Sequence, residues 1–156
     1  MAPVRFAVIG CADIARRGFL PAALAGDVVE VVAVASRSLD RARVFAAQFG
    51  GDAVEGYDRA LDRSDVDAVY VATPTGLHAR WAMAAARAGK HVLCEKTLAR
   101  NVAETLKIIA TCEEHDVALF EGFAYQFHPQ HQEVRQVVRD GRIGEPVLFQ
   151  GWFGFP

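Results

Sequence analysis

Residues 4–15 decide the fold of this chain, and they read VRFAVIGCADIA. The mostly apolar run at 4–9 predicts a buried strand, and a helix is predicted to begin soon after Gly10. A strand that passes through a glycine into a helix leaves backbone N–H groups exposed at the helix start. The helix dipole favours negative charge at that position. This stretch therefore predicts a strand–turn–helix unit whose turn faces an anionic group such as a pyrophosphate.

The turn itself follows the pattern by which dinucleotides are bound. That pattern is G-x-G-x-x-G/A, and its three marked positions are occupied here by Gly10, Ala12 and Ala15. Ala12 adds a methyl group where backbone and phosphate approach closely. Taken alone, the motif is also compatible with an ordinary strand–turn–helix, so its meaning depends on the rest of the chain.

Composition excludes several classes of protein. The 156 residues are 52% hydrophobic and 23% charged, with a formal net charge of −2, which is typical of a soluble globular domain. Neither a nucleic acid nor an anionic membrane is predicted as a partner, because there is no broad basic field. The three cysteines share no C-x-x-C spacing, so we expect no disulfide framework and no metal site. A reduced, cytoplasmic protein without a membrane helix is expected.

Short apolar runs alternate with helical patterns along most of the chain. Strands are predicted at 4–9, 29–35, 68–72, 91–94 and 117–121, and helices at 13–25, 39–49, 77–89, 101–115 and 129–140. The weaker segment 52–65 is expected to hold a short strand and a short helix. Ser38 and Asn101 are expected to cap the helices that follow them. This alternation predicts an α/β fold with a doubly wound, mostly parallel sheet.

The last third of the chain differs because it is rich in aromatic residues. A turn cluster at 140–146 is followed by an apolar run that predicts a strand at 147–153. An aromatic strand of this kind needs a cover. We therefore expect a dinucleotide-binding domain at 1–122, with 123–156 forming a connecting helix and the first strand of a second α/β domain. That domain would be missing or only begun here, and the partner expected is this domain or another copy of the chain.

The end of the second strand bears on cofactor preference. NAD-selective sites place an acid there for the ribose 2′-hydroxyl, whereas an arginine accommodates a 2′-phosphate. No acid occupies positions 35–38, which hold Ser36, Arg37 and Ser38, and Arg41 follows in the next helix. The pattern favours NADP(H) over NAD(H), with a solvated arginine beside a helix cap as the alternative.

Two further polar clusters follow strands at the same predicted edge. Thr73, Pro74 and Thr75 come after the fourth strand, where the threonine hydroxyls would bind phosphate or ribose. His78 follows them, and its simpler interpretation is a histidine whose hydrogen bonds are satisfied within the fold. The pair at 95–96 ends the fifth strand. Its lysine would donate to a substrate oxygen, and a plain Glu–Lys ion pair is the alternative.

The ordered set of motifs resembles the N-terminal half of the Gfo/Idh/MocA oxidoreductases. The matching pieces are GCADIA at 10–15, TPTGLH at 73–78, Glu95-Lys96, and EGFAYQFHP at 121–129. The resemblance implies a Rossmann domain that binds NAD(P) and an enzyme that oxidises or reduces carbohydrates and polyols. It also implies that Lys96 is the active-site lysine beside the nicotinamide, and that a second domain supplies a His or Tyr proton donor.

The sequence thus yields one set of candidate site residues. Lys96 is the expected catalytic residue, and Lys96, Tyr125 and His128 are the expected substrate contacts. The expected cofactor contacts are Gly10, Cys11, Ala12, Asp13, Ile14, Ser36, Arg37, Ser38, Arg41, Thr73, Pro74, Thr75, Leu77, His78, Glu95 and Lys96.

One departure from the family pattern is Thr97, which stands where the family usually has a proline. A trans bond there would re-aim Lys96, and a cis bond would cost about 3 kcal/mol without proline. The function expected is hydride transfer between NADP and a sugar or polyol carbon, as in a keto-sugar reductase. Two alternatives stay open, namely a non-catalytic NADP(H)-binding module and a structural Rossmann domain acting with a partner.

Overall fold

The computed structural model of the chain describes residues 2–152 and 154, and it contains one parallel sheet. Every neighbouring pair of strands is parallel, and the order is β3-β2-β1-β4-β5-β6. This is the strand order of the doubly wound dinucleotide-binding fold, so the predicted fold class is confirmed. The strands are β1 (Val4–Ile9), β2 (Val29–Ser36), β3 (Asp52–Glu55), β4 (Ala68–Val71), β5 (His91–Cys94) and β6 (Leu119–Glu121).

The helices alternate with the strands, as the sequence predicts, and the last helix follows β6. They are α1 (Leu20–Ala25), α2 (Leu39–Phe49), α3 (Tyr57–Leu61), α4 (His78–Arg87), α5 (Val102–Glu114) and α6 (Pro129–Arg139). The predicted helix 13–25 is less regular than expected, because a π-helical turn at Ala15–Phe19 precedes α1. Short 3₁₀ turns at Thr75–Leu77 and Ala124–Phe127 precede α4 and α6. Ser38 and Asn101 accept hydrogen bonds at the starts of α2 and α5, as expected of caps.

The central strands β1, β2 and β4 are buried on both faces towards their carboxyl ends, which explains why those parts are apolar. Alternate residues of the central strands point to opposite faces. Val8, Val34 and Tyr70 pack with α1 and α2 on one face. Ile9 and Val71 pack with α3, α4 and α5 on the other. The loops after the strands are thereby held along one edge of a rigid sheet.

Residues up to Gly122 form one compact unit, and residues from Phe123 onward form a second. The second unit contains α6, and no strand occurs among its described residues. The strand predicted at 147–153 is therefore absent from 147–152, while Phe153 lies outside the described residues. The physical reason is that a strand needs a neighbour for its ladder of hydrogen bonds, and none is described in this unit. Phe149 and Trp152 are instead 90% and 98% exposed.

None of the described helices combines the length and the apolar character needed to cross a membrane.

Candidate functional site

The loops after β1, β2, β4 and β5 line two adjoining cavities at the carboxyl edge of the sheet. The first cavity has a volume of about 430 Å³, and the second of about 360 Å³. They share a wall made of Ala12, Ala72, Thr73 and Pro74. Ligands of open α/β sheets bind at this edge, so the cavities lie where the sequence predicts a site.

Gly10 lets the loop after β1 approach β4 closely. Its φ is +103°, and a Cβ built on it would lie only 2.6 Å from the carbonyl oxygen of Ala72. No other residue type fits that approach without moving the backbone. The glycine at the first position of the dinucleotide motif is therefore required by the packing of the sheet. It also leaves the backbone without a side chain along the first cavity.

The loops after β1 and β2 are joined by Arg41, whose guanidinium donates to the carbonyl oxygen of Cys11 at 3.0 Å. The Cys11 thiol approaches the Arg41 carbonyl oxygen at 3.6 Å. Burial raises the pKa of this thiol, which keeps it protonated. Cys11 lines the first cavity as a buried thiol. Arg41 lines the first cavity while also bracing the loop.

Arg37 also lines the first cavity, and it differs from Arg41 in its contacts. Ser36 is buried, and its hydroxyl accepts from the backbone N–H of Ser38 at 3.2 Å. This turn projects Arg37 outward, where it is exposed and makes no ion pair with any described residue. A guanidinium without a partner inside the fold is available to an anion.

Thr73 lies in the wall shared by the two cavities. It is 7% exposed, and its hydroxyl oxygen has no hydrogen-bond partner among the described residues. Pro74 and Thr75 continue this wall along the second cavity, where Ile14 also lies. Asp13 and Leu77 are not among the described residues that line either cavity. The carboxylate of Asp13 instead pairs with the arginines that follow it, Arg16 at 2.6 Å and Arg17 at 3.1 Å.

His78 is 1% exposed at the start of α4 and connects two loops. Its Nε2 lies 2.8 Å from the carbonyl oxygen of Thr73, and its Nδ1 lies 2.8 Å from that of Thr97. Both ring nitrogens therefore face protein groups. This agrees with a histidine that is satisfied within the fold, and its contact with a cofactor stays a prediction.

Glu95 ends β5 at the second cavity, and its carboxylate has a partner other than Lys96. The Tyr70 hydroxyl donates to Glu95 Oε1 at 2.6 Å. Burial, together with this hydrogen bond, raises the pKa of the Tyr70 phenol, so it remains a donor. Phe19 stacks on the Tyr70 ring with centroids 4.3 Å apart and fixes it from the side of the π-helical turn.

Lys96 is exposed and lines the second cavity. Among the described residues it makes no ion pair, so the alternative of a plain Glu95–Lys96 pair does not describe this structure. The peptide bond from Lys96 to Thr97 is cis, which is one of the two geometries considered from the sequence. Because the ammonium group makes no ion pair with a described residue, it is available to a ligand in the cavity.

Tyr125 and His128, the other expected substrate contacts, belong to the second unit. Tyr125 lies in the 3₁₀ turn before α6 and is 59% exposed. His128 caps α6, where its Nδ1 accepts from the backbone N–H of Gln130 at 3.2 Å. Their role at the substrate stays a prediction.

Sequence reasoning missed three residues that shape this edge, namely Tyr57, Tyr70 and Glu121. Tyr57 lines the first cavity, and Glu121 accepts from the backbone N–H of Leu98 at 2.7 Å. A hydroxyl in the middle of a buried apolar strand was the available signal for Tyr70. A buried phenol seeks a polar partner.

The comparison with protein families identifies the chain. The sequence profile of the oxidoreductase family with an NAD-binding Rossmann fold, GFO_IDH_MocA, matches residues 4–123. The chain belongs to this family.

Relatives of this family member are sugar-nucleotide and sugar oxidoreductases. The dTDP-3,4-didehydro-2,6-dideoxy-alpha-D-glucose 3-reductase of Actinomadura kijaniata is 48% identical over 154 residues, which cover 99% of this chain and 46% of that protein. The D-xylose 1-dehydrogenase (NADP(+)) 2 of Haloferax volcanii is 40% identical over 151 residues, covering 96% and 46%. The chain thus spans about half the length of these curated relatives.

A solved structure agrees with the fold. The crystal structure of KijD10, a 3-ketoreductase from Actinomadura kijaniata in complex with TDP-benzene and NADP, matches with a TM-score of 0.88 at 50% identity. The match covers 92% of this chain and 45% of that one.

Proposed function

We propose that this family member provides the cofactor-binding part of an NADP-dependent oxidoreductase that reduces a keto sugar. The observation that carries the proposal is the shared wall between the two cavities. One cavity contains the backbone at Gly10 and the guanidinium of Arg37, which makes no ion pair with a described residue, and the other contains Glu95 and Lys96. A dinucleotide laid along this edge would have its adenosine end in the first cavity and its nicotinamide end in the second.

The residues present fit such a cofactor. Gly10 keeps the space that a Cβ would fill, and the Thr73 hydroxyl is a buried polar atom without a partner among the described residues. The absence of an acid at positions 35–38 removes the usual acceptor for a free ribose 2′-hydroxyl. Arg37 would hold a 2′-phosphate by a charge-assisted hydrogen bond. The NADP-dependent relatives and the NADP complex of KijD10 support this preference.

Lys96 would act on the substrate oxygen. When bound, the nicotinamide supplies or accepts the hydride. The ammonium group of Lys96 would donate to the oxygen of the reacting carbon and stabilise the negative charge that develops there during reduction. Glu95, held by Tyr70, would bind a ligand hydroxyl with the carboxylate oxygen that Tyr70 leaves available.

Residues 123–156 are proposed to begin the substrate-side domain. Two observations support this: the chain covers less than half of its relatives, and apolar side chains are exposed at 147–152. Tyr125 and His128 would then serve the substrate. A cytoplasmic location is proposed because all three cysteines are free.

Turnover and binding measured together test the function. We expect the full-length protein to oxidise NADPH in the presence of nucleotide-linked keto sugars and to bind NADPH more tightly than NADH. Binding without turnover over a broad panel of keto sugars and polyols would favour a non-catalytic NADP(H)-binding module. If the protein shows neither NADPH binding nor turnover, a structural Rossmann domain would be favoured.

A further inference from the structure

The backbone that follows Lys96 is held from two sides by charged or polar side chains of other elements. His78, at the start of α4, contacts the carbonyl oxygen of Thr97 with its Nδ1 at 2.8 Å. Glu121, at the end of β6, accepts from the backbone N–H of Leu98 with its Oε1 at 2.7 Å. Two consecutive residues after Lys96 are thus fixed by groups that are distant in sequence.

His78 ties this backbone to the wall shared by the cavities, because its Nε2 lies 2.8 Å from the carbonyl oxygen of Thr73. A neutral imidazole donates to one of its two carbonyl partners, and a doubly protonated ring donates to both. In either form the ring fills the space between the two loops. It is 1% exposed, so solvent does not compete for these contacts.

The glycine after Glu121 lets the end of β6 approach the end of β5 closely. The backbone N–H of Gly122 donates to the Cys94 carbonyl oxygen at 2.7 Å. A Cβ on Gly122 would lie 3.3 Å from that oxygen and 3.3 Å from the Glu95 Cα, closer than almost all such contacts. The end of β6 therefore lies directly against the segment that carries Lys96. Leu98 is itself buried, so its N–H needs the carboxylate as its acceptor.

Lys96 presents the opposite situation, since its side chain is exposed and makes no hydrogen bond or ion pair with a described residue. With no such contact among the described residues, the position of the Lys96 ammonium group depends on how the backbone at Lys96 is held. We propose that His78 and Glu121 are positioning residues that aim Lys96 by fixing the two residues after it. This inference rests on the proposed role of Lys96 as the donor to the substrate oxygen.

The test compares Glu121→Ala with Glu121→Gln in the full-length protein. The glutamine keeps an oxygen that accepts from Leu98, whereas alanine leaves that buried N–H without a partner. We expect kcat to fall by about 10- to 100-fold in Glu121→Ala, because a displacement of about 1 Å costs on that order. The glutamine variant should stay within about 3-fold of the wild type. NADPH affinity should stay within about 3-fold in both variants, because the phosphate-binding loops are not touched. Glu114→Ala, an exposed change at the end of α5, is the matched control.

A double-mutant cycle with Lys96→Ala separates positioning from a general structural role. If Glu121 acts through Lys96, adding Glu121→Ala to Lys96→Ala should not lower kcat further. Losses that multiply, or an unchanged kcat in Glu121→Ala, would overturn the proposal. His78→Gln is tested in the same cycle. Losses that multiply, or an unchanged kcat, would show that His78 does not position Lys96.

Amide hydrogen exchange keeps the proposal testable if the wild type shows no turnover, which would refute the proposed function. Exchange at Leu98 should be faster in Glu121→Ala than in wild type and nearly unchanged in Glu121→Gln. Equal protection of Leu98 in all three proteins would show that Glu121 does not hold this segment, and the inference would be wrong. A variant that does not fold is recognised by its melting curve, and the double-mutant cycle with Lys96→Ala is then carried by His78→Gln.

Discussion

Arg37 is exposed at the end of β2 and makes no ion pair among the described residues, so removing it should break no contact within the fold. We expect Arg37→Ala to weaken NADPH binding by roughly 10- to 100-fold, since a hydrogen bond to a charged group contributes about 1.5–3 kcal/mol. NADH, which lacks the 2′-phosphate, should bind as before. Fluorescence titration with both cofactors measures this.

The matched control for Arg37 is Arg43→Ala. Arg43 lies on α2 outside the first cavity and pairs with Asp40 at 3.1 Å. Its loss should leave both affinities unchanged. Equal losses for NADPH and NADH in Arg37→Ala, or a preference of the parent protein for NADH, would contradict the assignment of the 2′-phosphate to this side chain.

Lys96 gives the second prediction at this scale. We expect Lys96→Ala to lower kcat by roughly 10²–10³, as when a donor to a developing oxyanion is removed. The melting temperature should hardly change, because the exposed ammonium has no ion-pair partner among the described residues. NADPH affinity should also persist. Lys107→Ala on the exposed side of α5 is the control, and intact turnover in Lys96→Ala would exclude the catalytic role.

Between the elements, the contact of the loop after β1 with the end of β4 depends on Gly10. Gly10→Ala should destabilise the fold by about 1–3 kcal/mol from its backbone conformation alone, and more from the contact with Ala72. NADPH affinity should fall too. Gly18→Ala is the contrast, since no atom lies within 4 Å of its added Cβ. Urea unfolding of both variants distinguishes them, and equal stability would refute the steric argument.

At the opposite edge, Asp67 joins β1 to the start of β4. Its carboxylate accepts from the Arg5 backbone and guanidinium, and these hydrogen bonds lower the pKa of Asp67 to about 2. Because the folded value is below the ordinary one, the contact stabilises the fold above about pH 4, and this contribution is lost as pH falls towards 2. The side chain is 38% exposed, so we expect it to be worth at most about 1 kcal/mol.

Urea unfolding at pH 6, 4 and 3 checks this pH dependence. The difference in unfolding free energy between wild type and Asp67→Asn should be constant at the upper values and should shrink at pH 3. A difference that grows towards low pH would reverse the sign of the argument.

Elements were predictable where burial alone determines their pattern. Strands buried on both faces produce the apolar runs at 4–9 and 91–94, and their bounds match the structure. The run at 147–153 is also mostly apolar, yet 147–152 forms no strand. Composition indicates that a segment can be buried, but it does not indicate whether a neighbouring strand is present to pair with it.

Across the molecule, the sequence predicted that the candidate site residues share one edge of the sheet, but not the contacts that support them. Gly10, Arg37 and Lys96 each follow a strand, and parallel strands end at one edge, so their common location is predictable. The contacts from Tyr70 to Glu95 and from Glu121 to Leu98 join residues 25 and 23 positions apart. They depend on sheet register and on the path of the loops, which no local pattern contains.

The exposed apolar side chains after α6 give a prediction for the molecule as a whole. Val147, Phe149 and Trp152 are each at least 90% exposed, and large apolar side chains exposed to water favour association. We expect the 156-residue chain to self-associate as its concentration rises, measured by light scattering. Phe149→Ser combined with Trp152→Ser should shift it towards monomer, whereas Val44→Ser, an exposed position on α2, should not. A monomer at all concentrations would show that this segment needs no cover.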